Sequence, residues 1–168
     1  MVDFVSLKHE PDAMPTHTKR IGRELALLYM FSSDLLEEVP ATSHTDFYAA
    51  AADWLGWKSN RLLRKGGEYA DRLLDIIALH QEEIDSRISA QSANWEWERL
   101  PLVDRNIMRM AVSEMLYVAE VPPVVSINEA VEIAMDYSGE NSGNFINGLL
   151  NAIKDTLPRP AREAVDHL

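Results

Sequence analysis

The chain has 168 residues, 46% of them hydrophobic, which suits one ordinary helical or mixed domain and argues against wholesale disorder. It has no cysteine, so disulfide frameworks and thiolate metal sites are excluded, and no apolar run approaches the length that a bilayer demands. A formal charge of -11 disfavours tight, sequence-indifferent nucleic-acid binding, because such affinity comes largely from Lys and Arg on phosphates.

Residues 1–16 mix Pro11, Pro15, acids and few apolar side chains and read as a flexible N-terminal tail; Met1 to His9 lack the apolar stretch of a secretory signal. A buried helix is predicted from Thr18, with Leu25, Leu28, Met30, Phe31 and Leu35 at helical spacing and Pro40 at or after its end. A short helix is predicted over Thr45 to Trp57. Another begins near Asn60, pauses at Gly66-Gly67 and resumes to bury Leu73, Ile76, Ile77 and Ile84.

The C-terminal half carries the clearest patterns. A helix from about Leu102 turns Ile107, Met110, Ala111 and Met115 to one face, and Val121-Pro-Pro-Val breaks it. Ser126-Ile-Asn-Glu129 has the spacing of a capping box, predicting a helix start at Ser126 with Ile127, Ala130, Val131, Ala134 and Met135 on one stripe. Ser138-Gly139 closes that helix. A last one follows from about Ser142 to Pro158, with Ile146, Leu149, Leu150 and Ile153 inward, and 158–168 is expected to be a C-terminal tail. Nothing alternates in the manner of a strand, so the expected fold class is all-α, with the helical domain over residues 17–157.

Catalysis finds no support. His9, His17, His44, His80 and His167 are scattered, none pairs with another at ligand spacing, and His80 reads as a core imidazole. Glu37-Glu38 and Glu82-Glu83 read as solvated faces. No nucleophile elbow, zinc motif or phosphate loop occurs. The expectation is a protein with no catalytic residues, no metal and no cofactor.

Two basic clusters bear on binding. Lys19, Arg20 and Arg23, with His17 nearby, lie where the tail enters the first helix; one reading is a cationic arm for a phosphate backbone, the other a charged first turn that stays solvated. Arg61, Arg64 and Lys65 form a basic face that reads best as solvated. Near the C-terminus, Asn141-Ser-Gly-Asn-Phe145-Ile-Asn-Gly148 places polar residues at a helix start and then an aromatic. Phe145 is either a stacking platform for an unpaired base or a core residue beside Ile146. Trp95 and Trp97 read as anchors of the helical core.

Three blocks in order carry a resemblance to a known family: Asn94-Trp-Glu-Trp-Glu-Arg-Leu-Pro-Leu-Val-Asp-Arg-Asn-Ile-Met-Arg-Met-Ala-Val-Ser-Glu114, Val121-Pro-Pro-Val-Val-Ser-Ile-Asn-Glu-Ala-Val-Glu-Ile-Ala134, and Asn141-Ser-Gly-Asn-Phe-Ile-Asn-Gly-Leu-Leu150. Together they resemble the NusB transcription antitermination factors. Arg23-Glu-Leu-Ala-Leu fits that family's first helix, and the similarity runs from about Thr18 to Ile153, weakest between Ser32 and Ser92.

The resemblance implies two packed helical sub-bundles and a cytoplasmic factor that binds boxA-type single-stranded RNA together with NusE, a small-subunit ribosomal protein. It implies work within the transcription elongation complex, mainly on ribosomal RNA operons, and no membrane. Lys19, Arg20, Arg23, Asn141, Ser142, Asn144 and Phe145 would then face RNA. Phe31, Leu35, Glu98 and Asp104 would face the partner, the acids meeting its basic residues. The arginine-rich stretch is thinner here than the family usually has, and Asn141 and Asn144 stand where an Asp and a basic residue are frequent. The rival reading is a protein–protein interaction module of the same fold with little RNA affinity of its own.

Overall fold

The computed structural model describes residues 14–37, 40, 42–91 and 97–168. Among them lie six α-helices and one 3-10 turn, and no strand: α1 (Thr18–Leu36), α2 (His44–Trp54), α3 (Asn60–Gln91), the turn Trp97–Arg99, α4 (Leu102–Tyr117), α5 (Pro123–Tyr137) and α6 (Glu140–Lys154). The expected all-α class is what the chain adopts. Two compact units divide it, one ending at Asp75 and the other running from Ile76 to Leu168.

In the first unit α1 is buried along most of its length, because Ile21, Leu25, Leu28 and their neighbours leave little polar surface to show water. Ser43 caps α2, its hydroxyl accepting from the Asp46 amide at 3.2 Å. The start of α2 is then held by rings: His44 lies edge-on to Tyr29 at 4.5 Å, and Phe47 does so at 5.1 Å. Asp71 of α3 accepts from the Tyr48 hydroxyl at 2.8 Å and sits 2.7 Å from His44 Nδ1.

The expected pause at Gly66-Gly67 does not exist; α3 runs through it. Both glycines are buried, Gly66 where α1 crosses α3 and Gly67 against the Tyr48 ring of α2. A Cβ on Gly22 would lie 2.7 Å from the Gly66 carbonyl oxygen, and one on Gly66 would collide with Ile21. They are there for close approach, not to break the helix. The irregularity falls instead at His80 (φ -123, ψ 18), whose ring stacks on Tyr117 at 4.0 Å rather than entering the core.

The second unit packs α4, α5 and α6 with the later part of α3. Tyr137, Ile84, Ile88, Ile107, Met108 and Met110 are its largest fully buried side chains. Arg109 of α4 forks onto Asp85 of α3, Nε to Oδ1 at 2.7 Å and Nη2 to Oδ2 at 2.8 Å, and its guanidinium lies 5.3 Å from the Trp97 ring. Trp95 lies outside the described residues.

Two expectations for α5 fail. The helix starts at Pro123 with Pro122 as N-cap, so Ser126 is inside it, buried, with no partner for its hydroxyl. Proline is at home in the first helical position, where its fixed φ fits and its missing N–H would be unpaired anyway. The double proline therefore opens this helix and overrides the S-x-x-E signal. The buried stripe is correspondingly Ile127, Ala130, Ile133, Ala134 and Tyr137; Val131 is half-buried and Met135 exposed.

Beyond α6 the chain folds back over this unit without a helix. Arg159 donates through Nη1 to the carbonyls of Met115 and Val118, and through Nη2 to those of Ala119 and Val121, at 3.0–3.4 Å. The Ala161 carbonyl accepts from the Val124 amide, and the Val165 amide donates to Ala119. One strap thus serves carbonyls at the end of α4 and an otherwise uncapped donor at the start of α5.

Candidate nucleic-acid interface

The two halves of the expected RNA site fall in different units and are built differently. At the α1 entrance His17 is the N-cap, exposed, with no side-chain cap bond. Lys19 and Arg23 both reach over the ring of Tyr69 on α3, at 5.0 and 5.9 Å from its centroid. Arg20 pairs with Glu24 one turn on. The close α1–α3 approach at Gly22 and Gly66 draws these first turns against Tyr69, and Arg23 ends only 3% exposed. The arm is less open than its sequence suggested: Lys19 and Arg20 are half-buried and Arg23 is inside. Tyr69 was missed in the sequence because it stands 46 positions beyond Arg23, with no local pattern to connect them.

Arg61, Arg64 and Lys65 are exposed on α3, as a solvated face should be, and Arg64 pairs with Glu68 at 3.0 Å in full view of water. Such a pair adds little.

In the second unit α6 begins at Glu140, two residues earlier than expected, after Gly139 at φ 115, and no side chain caps it. Asn141 and Asn144 are exposed and Phe145 is half-buried, while Ile146, Leu149, Leu150 and Ile153 face the core. Phe145 is thus neither a core ring nor a free one. Ser142 is turned inward: its hydroxyl donates to Asp104 Oδ2 at 2.8 Å and lies 2.8 Å from the Ser138 hydroxyl. Farther along, Gly148 leaves open space beside the same face.

The expected partner-facing residues divide. Leu35 is 46% exposed and Glu98 is exposed on its 3-10 turn. Phe31 is 6% exposed and Asp104 only 3%, so neither presents a contact surface in this conformation. The resemblance placed Asp104 on the partner-facing surface; it is buried because the first turn of α4 packs on the start of α6.

The chain matches the model of the NusB family over residues 20–155. The chain belongs to the NusB family. A transcription antitermination protein NusB of Geobacter sulfurreducens is 38% identical over 148 residues, 83% of this chain and 96% of that one. The NusB of T. maritima superposes with a TM-score of 0.67 at 30% identity, covering 90% of this chain and 96% of that. A chain from the crystal structure of antitermination factors NusB and NusE in complex with double-stranded RNA superposes at 0.66 and 26% identity, covering 85% of this chain and all of that one. The matched span runs from the first turn of α1 to the end of α6. No helix among the described residues is long and apolar enough to cross a membrane.

Proposed function

We propose that this NusB-family chain is an RNA-binding transcription antitermination factor that takes boxA-type single-stranded RNA together with NusE. In this reading it acts in the cytoplasm within the transcription elongation complex, chiefly on ribosomal RNA operons, and catalyses nothing. The observation that carries it is the start of α6, where exposed Asn141 and Asn144 flank a half-buried Phe145 beside helix donors that no side chain caps. A ring there can stack on an unpaired base and amides can read its edge. The likeness to a chain of a NusB–NusE–RNA complex supports the choice of partners. Lys19 and Arg20 supply the nearest match to the family's cationic arm, and Leu35 and Glu98 are the accessible members of the partner set.

A second reading has its own support. With Arg23 buried, Arg20 paired to Glu24 and a formal charge of -11, the phosphate-binding term is small, which favours a protein–protein module of the same fold. Titrating a boxA-type oligonucleotide with the chain alone and with NusE, each at two salt concentrations, separates the two. The RNA-binding reading expects submicromolar affinity with NusE and a shallow salt slope. Binding of NusE with no RNA uptake in either salt selects the module.

A further inference from the structure

Asp104 is a carboxylate 3% exposed in the first turn of α4, and burial of a carboxylate is costly unless it is well bonded. One oxygen, Oδ2, accepts from the Ser142 hydroxyl; the other, Oδ1, is buried without a partner. A hydroxyl has a single hydrogen. Since Ser142 donates it to the carboxylate, the 2.8 Å contact with Ser138 must run the other way, from the Ser138 hydroxyl into the Ser142 oxygen. The chain Ser138 to Ser142 to Asp104 therefore ties the end of α5, the first turn of α6 and the start of α4 in one direction.

Besides that chain, the turn is held by the Gly143 amide donating to the Gly139 carbonyl at 3.1 Å and by the burial of Gly143 beside Met135. Gly139 enters it at φ 115, and its N-cap contributes no side-chain bond. Ser142 lies one position from Asn141 and three from Phe145, and a helix turns about 100° per residue. A one-residue slip of the first turn would carry the Phe145 ring from the flank of α6 to a different face. The bonded serine adds a side-chain tie against that slip to the burial of Gly143 and Ile146.

We propose that Asp104 is a positioning residue of the RNA site, fixing through Ser142 the turn that presents Asn141, Asn144 and Phe145, and is not a charge offered to the protein partner. The proposal rests on the RNA-binding reading for its functional half. Its chemistry asks only for an acceptor at Oδ2, so Asp104→Asn keeps the tie while Asp104→Ala and Ser142→Ala remove it. A charge complementing a basic partner would instead be lost equally in Asn and Ala.

The test measures two things on the full chain. Backbone NMR shifts of Asn141 to Phe145, taken without RNA, should move toward non-helical values in both Ala variants and stay close to the parent's in Asp104→Asn. Affinity for a boxA-type oligonucleotide with NusE present should fall about tenfold in Asp104→Ala and Ser142→Ala, the size expected when a buried polar group loses its partner, and less than threefold in Asp104→Asn. Ser142→Ala keeps the test alive should Asp104→Ala not fold. Unchanged shifts in Ser142→Ala overturn the proposal, as does a loss of NusE binding in Asp104→Asn that matches the alanine variant's. Phe145→Ala, run alongside, reports on the RNA-binding reading itself: if it leaves RNA affinity intact, that reading fails, and the shifts alone decide whether Asp104 sets the turn.

Discussion

Gly22 of α1 and Gly66 of α3 meet backbone to backbone, with room for no side chain between them. Substituting alanine at Gly66 drives a methyl into Ile21, a β-branched residue buried in α1, whereas alanine at Gly148 meets nothing within 4 Å. The two changes should have opposite signs. Gly66→Ala is expected to destabilise by about 1–3 kcal/mol through overpacking, even though alanine is the better helix former. Gly148→Ala should stabilise by about 0.5–1 kcal/mol through helix propensity alone. Urea denaturation of both variants checks this; equal shifts in one direction would mean that α1 and α3 are not in this contact.

How much of this was legible beforehand follows from the range of the interactions involved. The helices themselves were visible because burial on one face imprints a period on neighbouring residues, as with Ile146, Leu149, Leu150 and Ile153. Gly66-Gly67 was misread because what the two meet, Gly22 with Ile21 for Gly66 and Tyr48 for Gly67, lies far off in sequence, and a glycine pair looks the same in a break and in a helix crossing. Ser126 was misread because two local signals competed and the proline signal is the stronger one at a first helical position. The residue types of the candidate site stand in the sequence; their exposure does not. Nothing near Arg23 announces Tyr69, and nothing near Asp104 announces Ser142, 38 positions on.

At the α3 kink, the Tyr117 hydroxyl donates to Glu83. That bond, with help from Arg87, holds the Glu83 carboxyl below its ordinary value. Because the folded value is depressed, the contribution is present above the unfolded carboxylate range and is lost as pH falls through the folded value. Tyr117→Phe should therefore raise the Glu83 midpoint in a carbon-detected NMR titration and make the variant's acid transition begin at higher pH. The alkaline limb runs the opposite way. Burial first, and then Glu83, push the Tyr117 hydroxyl up to about 12, so its contribution holds below pH 10 and disappears between about 10 and 12. An unshifted Glu83 midpoint in Tyr117→Phe would show that the bond does not persist in solution.

Arg159 gathers four carbonyls from the end of α4 and the turn after it, which a single ammonium cannot do with the same planar geometry. Its removal leaves those carbonyls to find water under the strap. Arg159→Ala should cost about 2 kcal/mol, the range of hydrogen bonds that involve a charged donor, and Arg159→Lys should recover less than half of it. Truncation before Pro158 also removes the Ala161 acceptor of the Val124 amide and should cost more than Arg159→Ala. Chemical denaturation of the three variants gives the order. A lysine variant as stable as the parent would reduce the role of Arg159 to charge alone.

Phe145 separates the functional readings by the property that the variant loses. A fully buried phenylalanine truncated to alanine costs about 3–5 kcal/mol of stability. A stacked base is worth about 1–3 kcal/mol of affinity on the same substitution. Phe145 is half-buried on the flank of α6, with Ile146 taking the inward place beside it. Phe145→Ala should accordingly weaken boxA-type RNA binding in the presence of NusE by more than tenfold while the melting temperature falls only a few degrees. Lys19→Ala and Arg20→Ala act on a different term: each should flatten the salt dependence by less than one counterion, because Lys19 lies over Tyr69 and Arg20 is already paired with Glu24. Fluorescence anisotropy at two salt concentrations, with melting curves on the same samples, reads both effects. A large drop in melting temperature with proportionate loss of RNA affinity would make Phe145 a core residue, and a full counterion lost in Arg20→Ala would mean that its bond to Glu24 opens when RNA arrives.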